Sequence, residues 1–214
     1  MVYAYDLHIS QEETFTARPS IRIPLPDHLK GLLVDDWENI TKSLQLVPLP
    51  HPHPVSAILA EYSASETSKR RPGSADADIL EEVILGVREY FDKSLGRILL
   101  YRFERQQWLE VHERMIKSAD GNTRVLPPSD AIDGEQSLAG KTPSEVYGAE
   151  HLCRLFVSMP ELIAQTNMDQ PSVNKLREEL MKMTQWLGKN SSRFFAKEYM
   201  NAGQDYQDKS RGTG

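Results

Sequence analysis

The sequence predicts an all-α fold, a bundle of at least six helices. Apolar residues recur at steps of three and four through successive segments, and no strict apolar–polar alternation lasts long enough for a sheet. Clusters of Gly, Pro, Ser and Asp separate those segments, which is the punctuation expected of helix-connecting loops.

Residues 1–16 show no clear period and read as an N-terminal arm or an added segment. Ile21-Arg22-Ile23-Pro24-Leu25-Pro26 alternates at first and is then locked by proline, giving a short extended strip. Asp27 can cap a helix directly after Pro26. Leu29, Leu33, Trp37, Ile40 and Leu44 follow at steps of 4, 4, 3 and 4, with Leu32 and Val34 off the stripe. Residues 46–54 form a proline-stiffened loop holding His51 and His53. A second helix over about 55–67 places Ile58, Leu59 and Tyr62 on one side.

The third helix starts near Asp76 or Asp78 and runs to about Leu95, with Gly96 as its stop. Leu80, Ile84, Val87, Phe91 and Leu95 make one stripe; Ile79, Val83, Gly86 and Tyr90 make a second beside it. Together they form an apolar arc wider than a surface helix needs, so this helix is central or serves two neighbours. Ile98 to Phe103 continues apolar, and a fourth helix runs from Glu104 to about Lys117. Residues 118–141, rich in Gly, Ser, Pro and Asp, read as a long mobile insertion.

Thr142-Pro143-Ser144-Glu145 is a capping box with Pro at the first helical position. The helix behind it carries Leu152, Leu155, Phe156, Met159, Leu162 and Ile163, and Pro160 is expected to kink or divide it. Val173, Leu176, Leu180, Met183 and Leu187 mark another helix, stopped by Gly188. A last short helix near Asn190 or Ser191 holds Phe194, Phe195 and Tyr199, and a polar tail follows from Asn201.

The 214 residues are 39% hydrophobic and 26% charged, ordinary usage for a soluble domain large enough to bury its own core. Cys153, the single cysteine, cannot form an internal disulfide, which fits a reducing compartment. No apolar run approaches a membrane span, and the first residues lack a secretory signal. Net charge is −6, with Lys69-Arg70-Arg71 the one sustained basic run. Such a surface repels duplex nucleic acid, so no direct nucleic-acid contact is expected; a nucleic-acid or nucleosome-binding module is the alternative reading.

Chemistry is sparse. His51 and His53 flank a proline without Cys or carboxylate at ligand spacing, so no metal or other cofactor is expected. His151 and Cys153 diverge on a helix, and Cys153 reads as a small core residue rather than a nucleophile. Asp35-Asp36 and Glu81-Glu82 read as solvated faces. Phosphate loops, Gly-x-Ser-x-Gly and His-Glu-x-x-His are absent, so neither an enzyme nor a small-molecule substrate is indicated. Trp37 and Tyr90 are large aromatics with polar handles, the type enriched at binding hot spots. Gly86, one turn from Tyr90, leaves a shallow place for a partner side chain.

Ile23-Pro24-Leu25-Pro26, Leu33-Val34-Asp35-Asp36-Trp37, Glu89-Tyr90-Phe91, Leu99-Leu100-Tyr101-Arg102-Phe103-Glu104-Arg105, Pro143 through Leu152 and Leu187-Gly188-Lys189-Asn190-Ser191 together resemble the MRG domain. Their order and spacing match over residues 17–207, leaving 208–214 as a tail, and the likeness is greatest to fungal members. The resemblance implies orthogonal helical bundles with one short β-hairpin, a nuclear location and a scaffold role. Its implied partners are protein subunits of NuA4-type histone acetyltransferase complexes and of small Sin3/Rpd3-type deacetylase complexes. Some are held as Phe-x-Leu-Pro segments in a hydrophobic groove. Carried over to this chain, the groove includes Leu33, Val34 and Trp37, with Tyr90 as a wall; helical geometry adds Val83, Gly86 and Glu89. No chromodomain fits before Pro19, so methyl-lysine binding is not assigned, and Met1–Ser10 match nothing expected of the family.

Overall fold

The computed structural model describes residues 22–116 and 137–212. The arm over 1–16 and most of the 118–141 insertion lie outside the described residues. In chain order the elements are α1 (Asp27–Thr41), β1 (Gln45–Leu46), α2 (Val55–Thr67), α3 (Ala75–Ser94), α4 (Arg105–Ile116), α5 (Ala149–Ala164), α6 (Gln170–Lys189), α7 (Ser191–Phe194), β2 (Met200–Asn201) and α8 (Gln204–Gly212). A π-turn (Leu95–Leu99) and 3-10 turns (Arg102–Glu104 and Pro143–Glu145) join them. The fold is all-α. Its strand content among the described residues is one antiparallel pair, Gln45 opposite Asn201 and Leu46 opposite Met200.

α5 is the axis of the molecule. Every residue from Ala149 to Phe156 is buried, and α1, α2, α3 and α6 all touch this helix. A helical stretch buried all round, as over these two turns, needs apolar residues around its circumference, or polar ones that find partners inside. Leu152, Cys153, Leu155 and Phe156 meet the first requirement; Glu150, His151 and Arg154 meet the second. Leu29 and Ile40 of α1, Phe91 of α3 and Leu180 of α6 are fully buried around it.

Several boundaries differ from the sequence pattern, each for a local reason. Asp27 is the first helical residue of α1 and Pro26 occupies the cap. α1 ends at Thr41, and Leu44 adopts φ 52°, so the last apolar step belongs to a turn. Gly96 does not stop the third helix; the chain runs on through the π-turn, and a Cβ at Gly96 would lie 2.8 Å from the Trp108 indole. Glycine is there for close approach.

The capping box forms, with the Thr142 N–H donating to Glu145 Oε2 at 2.8 Å. It closes only the 3-10 turn, and α5 begins later, at Ala149. α5 then runs unbroken through Pro160, which removes one backbone donor without dividing the helix. The polar tail is also structured, as α8. Tyr206 anchors it: its ring meets Phe103 edge-on at 5.2 Å, and its hydroxyl donates to the Phe103 carbonyl at 2.6 Å. One aromatic in a polar run supplied that docking.

Candidate functional site

The presentation of α1 rests on a buried ionic cluster. Arg154 of α5 donates from Nε and Nη2 to the two carboxylate oxygens of Asp36, both at 2.9 Å. Its Nη1 donates to Glu104 Oε2 at 2.6 Å and to the Leu99 carbonyl at 2.9 Å. His151 Nε2 lies 2.8 Å from Glu104 Oε1, and the Tyr199 hydroxyl donates to Asp36 Oδ1 at 2.9 Å. The Tyr101 ring lies 4.1 Å from the guanidinium carbon. Burial raises the Glu104 carboxyl, but Arg154 and His151 outweigh it and hold that group at about 2. For Asp36 burial prevails over Arg154, and its carboxyl lies above the usual range. The reading of Asp35-Asp36 as a solvated pair is therefore half right: Asp35 is exposed, whereas Asp36 is 1% exposed and clamps α1 to α5.

Adjacent helix positions turn away from each other, so burying Asp36 turns its neighbours outward. Val34 is 55% and Trp37 42% exposed, large values for apolar residues on a helix whose Leu29 and Ile40 are fully enclosed. Trp37 does not stand bare: Lys42 Nζ sits 4.7 Å from its ring centroid and 2.6 Å from Glu38 Oε1.

Two apolar cavities flank α5, and they share no residue. One, of about 500 Å³, is enclosed by the extended strip Arg22 to Leu25, by Lys30 and Leu33 of α1, and by Phe156, Val157 and Pro160 of α5. The other, of about 350 Å³, lies among α3, α5 and α6; Val83, Gly86, Tyr90, Met159, Ile163 and Leu176 shape it. Four of the seven residues expected to form one groove line these two cavities. Leu33 lines the first cavity; Val83, Gly86 and Tyr90 line the second. Val34 and Trp37 stand exposed on α1, and Glu89 points to Lys93 in an ion pair along α3. Periodicity identifies outward faces but not which helices are neighbours, and α5 packs against both α1 and α3. Val157, 59% exposed one position past the buried Phe156, lies off the apolar stripe read for its helix and also lines the first cavity.

Gly86 has room for a side chain. A Cβ there would meet nothing within 4 Å. Glycine inside a helix costs about 0.5–1 kcal/mol relative to alanine, and Gly31 of α1 is equally open.

The remaining reactive side chains serve the core. Cys153 is fully buried and burial pushes its thiol well up, away from the nucleophilic thiolate. His151 is directed at Glu104 rather than at Cys153. His51 is buried with Nε2 3.5 Å from Glu150 Oε2, and burial lowers its basicity. Among the described residues no group of three or more His, Cys, Asp or Glu is placed to hold a metal ion, and no helix is long and apolar enough to cross a membrane.

The model of the MRG family matches residues 4–201. The chain belongs to the MRG family. It is 54% identical over 98% of its length to "Chromatin modification-related protein eaf3" of Aspergillus fumigatus, covering 58% of that protein. It is 46% identical over 95% of its length to the Yarrowia lipolytica protein of the same description, covering 48% of it. Human "Mortality factor 4-like protein 2" is 35% identical over 95% of this chain, which covers 63% of that protein. The chain thus spans about half to three-fifths of the length of these MRG relatives.

Proposed function

We propose that this MRG domain is a non-enzymatic, nuclear protein-interaction scaffold of chromatin-modifying complexes. It captures subunits of NuA4-type acetyltransferase and small Sin3/Rpd3-type deacetylase assemblies as short hydrophobic Phe-x-Leu-Pro-like segments. The observation that carries this reading is the outward display of Val34 and Trp37 on an α1 that Arg154 fixes by two hydrogen bonds to Asp36. The names of the fungal relatives as chromatin modification-related proteins support the assignment to chromatin.

The energetics suit a short segment. A partner Phe and Leu leaving water for the surface of Leu33, Val34 and Trp37 gain roughly 1.5–3 kcal/mol each before ordering costs. A following proline holds the segment extended and lowers that cost. α1 is held by the buried cluster before any partner arrives, so the surface is preorganised.

The test is titration of the purified chain with a synthetic Phe-x-Leu-Pro peptide. Trp37→Ala should weaken binding at least tenfold while the helical circular dichroism is retained. Unchanged affinity in a folded Trp37→Ala protein would refute the α1 site.

A further inference from the structure

We infer that the C-terminal segment from Ser191 to Asn201 is a strap that positions the α1 site, with Tyr199 as its decisive residue. It sets how tightly a partner segment is held at Trp37, not whether the chain folds. This control rests on the proposed role of α1 as the partner-binding surface and acts on that same surface.

α1 has a narrow seat. Leu29, Asp36 and Ile40 are its buried residues, whereas Val34 and Trp37 face solvent. A helix with so thin an apolar stripe depends on tethers to hold its register. The C-terminal segment supplies them along the whole helix. At the first turn, His28 Nε2 lies 2.8 Å from Ser191 Oγ. In the middle, the Tyr199 hydroxyl donates to Asp36 Oδ1 at 2.9 Å, one residue from Trp37. Just past the last turn, β1 pairs with β2, and the Gln45 side-chain amide donates to Asn201 Oδ1 at 2.8 Å.

The segment is itself pinned on each side of Tyr199. Phe194 is fully buried with its ring 5.4 Å from that of Trp186, and the Ala196 N–H donates to Glu150 Oε1 at 2.6 Å. Beyond β2, Tyr206 ties α8 to the Phe103 carbonyl. Between these pins Lys197, Glu198, Met200 and Asn201 are exposed, so the stretch that reaches α1 has no core of its own. Loss of the Tyr199 hydroxyl therefore loosens α1 locally and leaves the chain folded. Asp36 keeps both hydrogen bonds from Arg154, and Leu29 and Ile40 stay enclosed. Partner affinity then falls with the fraction of molecules whose α1 is in register.

The experiment measures, on the whole chain, affinity for the synthetic Phe-x-Leu-Pro peptide together with amide hydrogen exchange in α1 and α6. Tyr199→Phe should bind the peptide several-fold more weakly with its helical circular dichroism retained, and its exchange should quicken more in α1 than in α6. Tyr206→Phe removes a comparable hydroxyl bond, made to Phe103 instead of α1, and should bind as wild type does. The pair Gln45→Cys and Asn201→Cys places two thiols at opposed strand positions, within disulfide reach. Oxidation of that pair should restore the affinity lost by Tyr199→Phe, and reduction should remove it again; Cys153 is buried and does not compete. Unchanged affinity in Tyr199→Phe, equal quickening in α1 and α6, equal weakening by Tyr206→Phe, or no rescue on oxidation would each overturn the strap. Should Tyr199→Phe not fold, the cysteine pair alone decides: oxidation must tighten peptide binding over the reduced form, and equal affinities overturn the strap. Failure of the wild-type chain to bind the peptide sinks the α1 site itself, and the strap with it.

Discussion

Arg154 and Asp36, 118 positions apart in the chain, meet through two parallel hydrogen bonds of 2.9 Å at 7% and 1% side-chain exposure. The pair joins α1 to α5 from inside, and Glu104 shares the same guanidinium. Two carboxylates on one cation are tolerable because each has a second partner, His151 on Glu104 and the Tyr199 hydroxyl on Asp36.

Replacing Arg154 by methionine keeps the length of the side chain and leaves both carboxylates buried without their cation. Removing one partner of a buried ion pair costs about 3–5 kcal/mol. Urea unfolding of Arg154→Met at neutral pH should show a loss of that size. Adding Asp36→Asn and Glu104→Gln should restore part of it, because the stranded charges are then gone.

The two carboxylates oppose each other in pH dependence. Glu104 has a folded value of about 2 against an ordinary 4.5, so its contribution is fully present above 4.5 and is lost as pH falls towards 2. Asp36 is shifted the other way by burial, so its contribution is present at low pH and lost as pH rises through its folded value. Between about pH 5 and pH 3, Glu104→Gln should therefore lose less stability on acidification than wild type, and Asp36→Asn should lose more. Urea midpoints across that range provide the check; equal slopes in all three proteins would contradict it.

Helices α1, α2, α3, α5 and α6 were legible because their apolar stripes persist over several turns, but the outward turn of Trp37 was not, because it shares a stripe with the buried Leu29 and Ile40. The neighbours of those stripes were not. Leu33 and Val83 belong to different cavities because α5 packs against both their helices, a tertiary fact that no single stripe encodes. Asp36 was misread because its partner lies 118 residues away, and α8 because one tyrosine anchors an otherwise polar run. Tyr101 and Glu104 sit in one recognisable motif, yet their meeting with Arg154 needs the fold to bring α5 alongside.

The start of α5 depends on a close approach of the same kind. A Cβ on Gly148 would lie 2.4 Å from the His51 ring, too close for any real contact, and the ring is itself fully buried. Gly148→Ala should cost about 1–3 kcal/mol, the range for overpacking a full core. His51→Ala should relieve part of that cost in the double variant, giving a favourable coupling in a double-mutant cycle. Additive losses would show that the two residues do not meet.

Gly86 gives the opposite result to Gly148. Both are glycines at helices that touch the core, but the Cβ of an alanine at 86 meets nothing within 4 Å. Gly86→Ala should therefore stabilise the isolated chain by about 0.5–1 kcal/mol, through better helix propensity and a less flexible unfolded state. Thermal unfolding should show a modest rise in Tm, with no change in helical content. A fall in stability would mean that glycine serves the folded chain itself. A rise shows that glycine at 86 does not serve the stability of the free chain.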